Sequence, residues 1–270
     1  MTTVNTNTGA LLAQKFLRAN AADLVTTQNR VSSGLRVSTV TDDASSFAVA
    51  SGLRGDIKAY TAVAAALQGS TVAATIAISA GEHIGGRIGD MKAKLVQLAD
   101  ESLSSASRAA YNVDLNAMLQ EINGYLSQAS YNGTNLLGSG GSDLYVVSGI
   151  DGSALTIRNN DVTTLLNPSI PMNVKTNAEA RVVLSVVGMI ETSLGAALSN
   201  LGSDLKRVHA QAEFIRQTEE TTRIALGALV DADLARESAN LSSLQVRQQL
   251  GVQAIGIANS APQTLLGLFR

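Results

Sequence analysis

Reactive side chains are sparse in this chain, and their spacing argues against catalysis. Two histidines, His83 and His209, are accompanied by no cysteine among 270 residues. Neither histidine stands in a His-Glu-x-x-His arrangement or at helical spacing from a second ligand, so no metal centre is expected. The missing thiols remove cysteine nucleophiles and thiolate zinc sites, and no Gly-x-Ser-x-Gly elbow supplies a serine. The stretch Gly85-Gly86-Arg87-Ile88-Gly89 lacks the spacing and the preceding strand of a dinucleotide fingerprint; it reads as a place of close helix approach. Paired carboxylates at Glu219-Glu220 and Asp231/Asp233 read as solvated helix faces. The expectation is a protein that is not an enzyme and takes no cofactor.

Composition points the same way. With no Trp, three Pro and 3% aromatic residues, the core must be built from Ala, Leu, Val and Ile, which favours helix-on-helix packing. A net charge of -2 leaves no basic footprint for nucleic acid. The opening Met1 to Thr8 has no basic n-region, so a cleaved secretory signal is not expected. The apolar run Ala10-Leu11-Leu12-Ala13 is broken by Gln14 and Lys15, and membrane insertion is not expected either.

Apolar ladders at seven-residue spacing dominate the elements. Leu17, Leu24 and Val31 form the first, with Gln14 and Gln28 interrupting it and Gly34 marking its end. Thr41-Asp42-Asp43 offers a cap for a long second helix, along which Leu53, Tyr60, Leu67, Ala74, Gly81, Ile88 and Leu95 recur. Tyr111 to Ala129 predicts a third helix, antiparallel to the second and ended by Asn132-Gly133. Leu144 to Val147 and Ala154 to Ile157, around Asp151-Gly152, predict a β-hairpin. Residues 159–177, with Pro168 and Pro171, read as a surface connection. Helical order resumes along Val187, Leu194, Leu201, Val208 and Ile215.

The last helix is expected to begin near Leu229 and Val230. Leu234, Leu241 and Ile255 occupy one of its ladders; Leu244, Ala258 and Leu265 occupy the facing one, with Val246, Leu250 and Ile257 widening the stripe. No charged residue stands between Arg247 and Arg270, so this tail needs burial on several sides, while Gln248, Gln249 and Gln253 argue against lipid. Gln28 and Gln248 read either as surface glutamines or as polar interruptions that weaken a seam until assembly. The expected fold is mainly α: paired terminal helices in a coiled coil, plus an antiparallel α-helical rod with a small β-hairpin. The expected division is 1–40 with 229–270, 41–137 with 178–228, and an exposed hairpin and loop over 138–177.

Several motifs carry a family resemblance. Val4-Asn5-Thr6-Asn7 opens the chain; Gln28-Asn29-Arg30-Val31-Ser32-Ser33-Gly34-Leu35-Arg36-Val37 and Asp42-Asp43-Ala44 follow. Tyr131-Asn132-Gly133-Thr134-Asn135-Leu136-Leu137 lies in the middle. Val230-Asp231-Ala232-Asp233-Leu234-Ala235, Glu237-Ser238, Gln248-Gln249-Leu250-Gly251-Val252-Gln253-Ala254 and Ala258-Asn259 close it. In this order they resemble bacterial flagellin, in a short form lacking the outer variable domains.

The resemblance implies a structural subunit that self-assembles with copies of itself into the extracellular flagellar filament for motility. It also implies secretion through the flagellar export apparatus, an export chaperone, and contact with filament cap and hook-filament junction proteins. In that family the two terminal helices pair around the filament channel. Carried over, Leu17, Leu24, Gln28, Val31, Leu234, Leu241, Leu244, Gln248 and Ile255 are the expected assembly residues. Asp42, Asp43, Asp231 and Asp233 flank the helix breaks as inter-subunit or capping candidates. Flagellins detected by Toll-like receptor 5 resemble one another in an Arg-rich patch on the long rod helix, and Asp90 stands where an arginine is important there. Weak receptor activation is the implied consequence. Two alternatives share the scaffold: a hook-filament junction protein, and a cell-surface adhesin or glycan-binding module, for which Tyr145 is the chief aromatic of the hairpin.

Overall fold

The computed structural model describes residues 6–163 and 173–267, with side chains described as far as 260. The opening residues Val4 and Asn5, the prolines of the surface connection, the side chain of Leu265 and the terminal Arg270 lie outside the described residues. The elements run α1 (Thr8–Ser33), α2 (Ala44–Leu98), α3 (Ser105–Gln128), β1 (Ser130–Tyr131), β2 (Thr134–Asn135), β3 (Leu144–Val147), β4 (Ala154–Ile157), α4 (Asn177–Val230) and α5 (Leu234–Gly267). They form two compact units, Met1–Gly55 with Thr221–Arg270 and Asp56–Glu220. The division falls within α2 and α4, whereas the sequence suggests limits at the chain breaks near 40 and 229.

Local chemistry fixes where the helices begin and end. Asn7 caps α1, its side-chain oxygen accepting from the Ala10 amide at 3.0 Å. Gly34 ends α1 with φ 72°, a left-handed conformation that a side chain would strain. Asp43 caps α2 by accepting from the Ser45 and Ser46 amides at 3.1 and 3.2 Å. Thr176 and Glu179 form a capping box at α4: the Glu179 amide donates to Thr176 Oγ1 at 3.2 Å, and Glu179 Oε2 accepts from the Thr176 amide at 3.3 Å.

Two boundaries differ from the sequence expectation. Asn132-Gly133 does not end the third helix, which stops at Gln128; it forms the turn of the β1–β2 hairpin, with φ of 49° and 81°. Positive φ at both central residues is what a tight type I′ turn requires. The last helix starts at Leu234 and not near 229, because α4 continues to Val230 and Asp233 caps α5 through the Ala235 and Arg236 amides, both at 3.1 Å. Between these helices the chain pairs back on α1's exit. Leu35 and Asp231 form an antiparallel bridge, the Arg36 amide donates to Val230 O at 2.7 Å, and the Ala232 amide donates to Gly34 O at 2.9 Å. Val37, Ala50 and Val230 form a small core beneath this bridge.

The second unit is built on a larger core. Leu67, Ile84, Ile88, Met91 and Leu95 of α2 meet Leu115, Leu119 and Ile122 of α3 and Val187, Leu194, Leu201 and Val208 of α4. By length and composition α2 and α4 could each cross a bilayer, but both contribute buried residues to this core. Gly81 allows α2 and α4 to approach closely: a Cβ there would lie 2.5 Å from Leu198 Cδ2. His83 stacks on Tyr125 with ring centroids 5.4 Å apart, joining α2 to α3. Arg87 to Glu121 at 2.9 Å and Lys94 to Asp114 at 2.6 Å tie the same helices at the surface.

The β3–β4 hairpin occupies the predicted residues, with Leu144 opposite Ile157 and Val147 opposite Ala154. Its inward Val146 and Ile157 join the core. Asp204 of α4, with only 1% of its side chain exposed, accepts from the Arg158 amide at 3.1 Å and from the Arg158 and Arg207 guanidinium groups. That carboxylate docks the end of β4 on α4.

Candidate assembly surface

Helices α1 and α5 lie antiparallel, and three polar links set their register. Asn7 Nδ2 donates to Ala258 O at 2.7 Å, Asn20 Nδ2 donates to Leu244 O at 3.0 Å, and Arg30 Nη1 approaches Glu237 Oε1 at 3.5 Å. The first and last of these join opposite ends of the two helices, and Asn20 meets Leu244 between them. On α1 the covered positions are Ala10, Ala13, Leu17, Asn20, Ala21, Leu24, Thr27, Arg30 and Val31, and all of them but Ala21 and Arg30 fall at alternating steps of three and four. That is the seam of a two-stranded coiled coil. On α5 they are Glu237, Leu241, Leu244, Gly251, Ile255 and Ala258.

Leu17, Leu24 and Val31 are half-buried on this seam, as are Leu241 and Ile255, while Leu244 is buried. Three of the expected assembly residues are not covered: Gln28, Gln248 and Leu234 are exposed, Leu234 by 49%. Gln28 lies one step past the seam position taken by Thr27, and Leu234 is the first residue of its helix. Ladder counting passes over Asn20 and Thr27 because both are polar. Their three-four spacing from Leu24 and Val31 is the signal that finds them.

The outward faces are apolar too. Leu11, Leu12, Phe16 and Val25 on α1 are exposed, as are Val246, Leu250, Val252 and Ile257 on α5. Val246, Leu250 and Ile257 therefore do not widen the seam as expected from sequence. They face away from α1, because their angular positions about the helix axis fall nearly opposite Leu244 and Gly251.

Of the four aspartates at the helix breaks, three are engaged locally. Asp42 Oδ2 accepts from the Thr39 and Ser38 amides at 2.9 and 3.0 Å and from both hydroxyls. These donors, the Thr39 amide foremost, lower its pKa from 3.8 to about 2. The Ser46 hydroxyl and amide lower that of Asp43. Asp233 caps α5, and the Asp231 backbone forms the bridge to Leu35. On the unit Asp56–Glu220, Asp90 is exposed and pairs with Arg87 at 3.2 Å.

Comparison with known proteins gives a consistent result. A family model described as the bacterial flagellin N-terminal helical region matches residues 4–140, and one described as the C-terminal helical region matches residues 184–269. A flagellin of Brucella melitensis is 34% identical over 283 residues, covering 100% of both chains. Flagellin FljO of Caulobacter vibrioides is 32% identical over 274 residues, covering 100% of this chain and 99% of the relative. The crystal structure of Bacillus cereus flagellin shares the fold at 17% identity, with a TM-score of 0.51 over 54% of this chain and 86% of that one.

Proposed function

The chain belongs to the bacterial flagellin family and is a structural subunit of the flagellar filament, and on that premise we propose that its α1–α5 pair is the polymerisation element. The family polymerises into the filament, an extracellular structure. The observation that carries the reading is the outward apolar face. Phe16, Leu250 and Ile257 are exposed by 64%, 57% and 72%, and pairing of the two helices leaves all three uncovered. Apolar area of this kind contributes roughly 25 cal/mol per Å² when water leaves it, so burial against neighbouring copies would drive elongation.

In this reading the subunit reaches the filament tip through the flagellar export apparatus, escorted by a chaperone. It meets the cap at the tip, and junction proteins join the filament to the hook. Catalysis has no part in it. Asp42, Asp43, Asp231 and Asp233 hold the turns that present the terminal pair, with inter-subunit contact as their second role. Asp90, facing solvent beside Arg87, places a carboxylate on the rod patch and makes the protein a weak activator of Toll-like receptor 5. A potent response to pure protein in reporter cells would refute that point.

Seeded elongation tests the main reading. Purified subunits added to sheared filament seeds should lengthen them in electron micrographs, and removal of residues 234–270 should abolish growth while leaving the rod unit folded. Full elongation by the truncated chain would refute the assignment.

A further inference from the structure

Two short hairpins stand over α2 without joining into one sheet. β3 has β4 as its single neighbour, and β1 pairs with β2 alone. Between the hairpins runs a groove of about 380 Å³, within the range of about 300 to 1,000 Å³ that ligand sites occupy. Its lining takes in Leu144, Tyr145, Val146 and Val147 in unbroken succession and no residue of β4. Side chains of a strand alternate between its faces, so a groove that touches four residues in a row follows the strand's edge. It is the edge that β4 leaves free.

The ladder fixes what that edge presents. The Ser148 amide donates to Ser153 O at 2.8 Å, which makes these two a hydrogen-bonded pair, and in antiparallel strands such pairs alternate with non-bonded ones. With Val147 opposite Ala154, the peptide groups of Tyr145 and Val147 therefore point away from β4, toward the groove. Neither makes a hydrogen bond to another described residue. Free edges are commonly blunted by Lys, Pro or a bulge, and β3 has none of these. The floor is low, because Ala66, Gly69, Ser70 and Ala73 of α2 form it and no atom lies within 4 Å of a Cβ built at Gly69. Among the described residues, no Asp, Glu, Lys, Arg or His lines the groove.

We propose that the groove is a strand-addition site, where an extended, uncharged peptide segment of a partner protein pairs with β3 and makes the hairpin a three-stranded sheet. The Tyr145 and Val147 peptide groups hold its backbone. Alternate side chains descend onto the small-residue floor, which suits Val or Ala, while the others face solvent and suit Ser or Thr. A charged side chain on the floor side would lose water with no opposite charge to meet it. The two-residue spacing of the free peptide groups is that of a strand, and it selects a peptide over a saccharide held by Tyr131 and Tyr145.

The probe is the peptide acetyl-Thr-Val-Thr-Val-Thr-amide, titrated into isotope-labelled monomer of the full chain. Saturable NMR shifts are expected at Tyr145, Val147, Gly69 and Ala73. Exchange of the Tyr145 and Val147 amides should slow about tenfold when the peptide stands at about ten times its Kd. A strand turns its N–H groups to its two edges by turns, so N-methylation of one alternate set of residues should abolish binding and of the other set should spare it. Gly69→Leu fills the groove from below and replaces a poor helix former, so helix content and melting point should hold while peptide affinity falls at least about tenfold. No shift at millimolar peptide overturns the proposal, as do equal effects of the two methylations or an unchanged affinity in Gly69→Leu. Shifts at these residues from maltotriose in place of the peptide overturn it in favour of a sugar site. Protection of the same amides that grows with subunit concentration alone overturns it in favour of a second copy.

Discussion

Replacing Asp204 with alanine removes a carboxylate that is 1% exposed and receives four hydrogen bonds between 3.1 and 3.3 Å. The two arginines are half exposed, at 51% and 53%, so their guanidinium groups return to water and their share of the loss is about 1 kcal/mol. The Arg158 main-chain amide is partly buried and loses its acceptor, which costs about 1 to 3 kcal/mol. The sum is about 2 to 4 kcal/mol, concentrated where β4 meets α4. Asp204→Asn retains an oxygen for the amide and should lose about half as much; Arg207→Ala should lose at most about 1 kcal/mol. Denaturant unfolding of the monomer measures the stability, and hydrogen exchange over residues 144–157 shows whether the hairpin loosens first. Two results would refute the reasoning: an Asp204→Ala protein within about 0.5 kcal/mol of wild type, or an Arg207→Ala loss equal to it.

Gly34→Ala should destabilise the end of α1 by about 1 kcal/mol through backbone strain alone, because φ is 72° and nothing lies within 4 Å of the added Cβ; thermal melting of the monomer reads it. Leu244→Ala, at a seam position 9% exposed, should cost the terminal pair about 2 to 3 kcal/mol in a urea titration, whereas Leu250→Ala should stay within about 0.5 kcal/mol in the monomer. The Asp42 turn should respond to acid. Its folded pKa is depressed from 3.8 to about 2, so its contribution is complete above the first value and lost as pH falls through the second. Protection of the Ser38 and Thr39 amides, taken from NMR exchange relative to the intrinsic rate at each pH, should therefore fall only below 3.8; loss of protection at higher pH would show that the carboxylate does not hold the turn.

The parts of the molecule legible in the sequence are those whose pattern has a single physical reading. Leu144 to Val147 and Ala154 to Ile157 alternate about Asp151-Gly152, and the hairpin forms at those residues. Leu17, Leu24 and Val31 mark the α1 seam because one side of that helix is covered by α5. Where two readings compete, the pattern is insufficient. Val246, Leu250 and Ile257 add to an apolar tail whichever way they point, and only the register imposed by Asn7, Asn20 and Arg30 turns them outward. Asn132-Gly133 suits a helix end as well as a hairpin turn, and pairing of Tyr131 with Thr134 decides it. Asp204 and Asn20 were invisible because buried polar residues acquire meaning from partners far along the chain: Arg158 for one and Leu244 for the other.

The contact between Gly81 and Leu198 has a consequence for how this sequence can change over generations. A side chain at 81 would collide with Leu198 Cδ2 at 2.5 Å, so substitution at either position alters what the other tolerates. A larger residue at 81 requires Leu198 to turn its terminal methyl aside or to give way to a smaller residue, so the two positions should change as a linked pair while the open glycines at 86 and 89 vary independently.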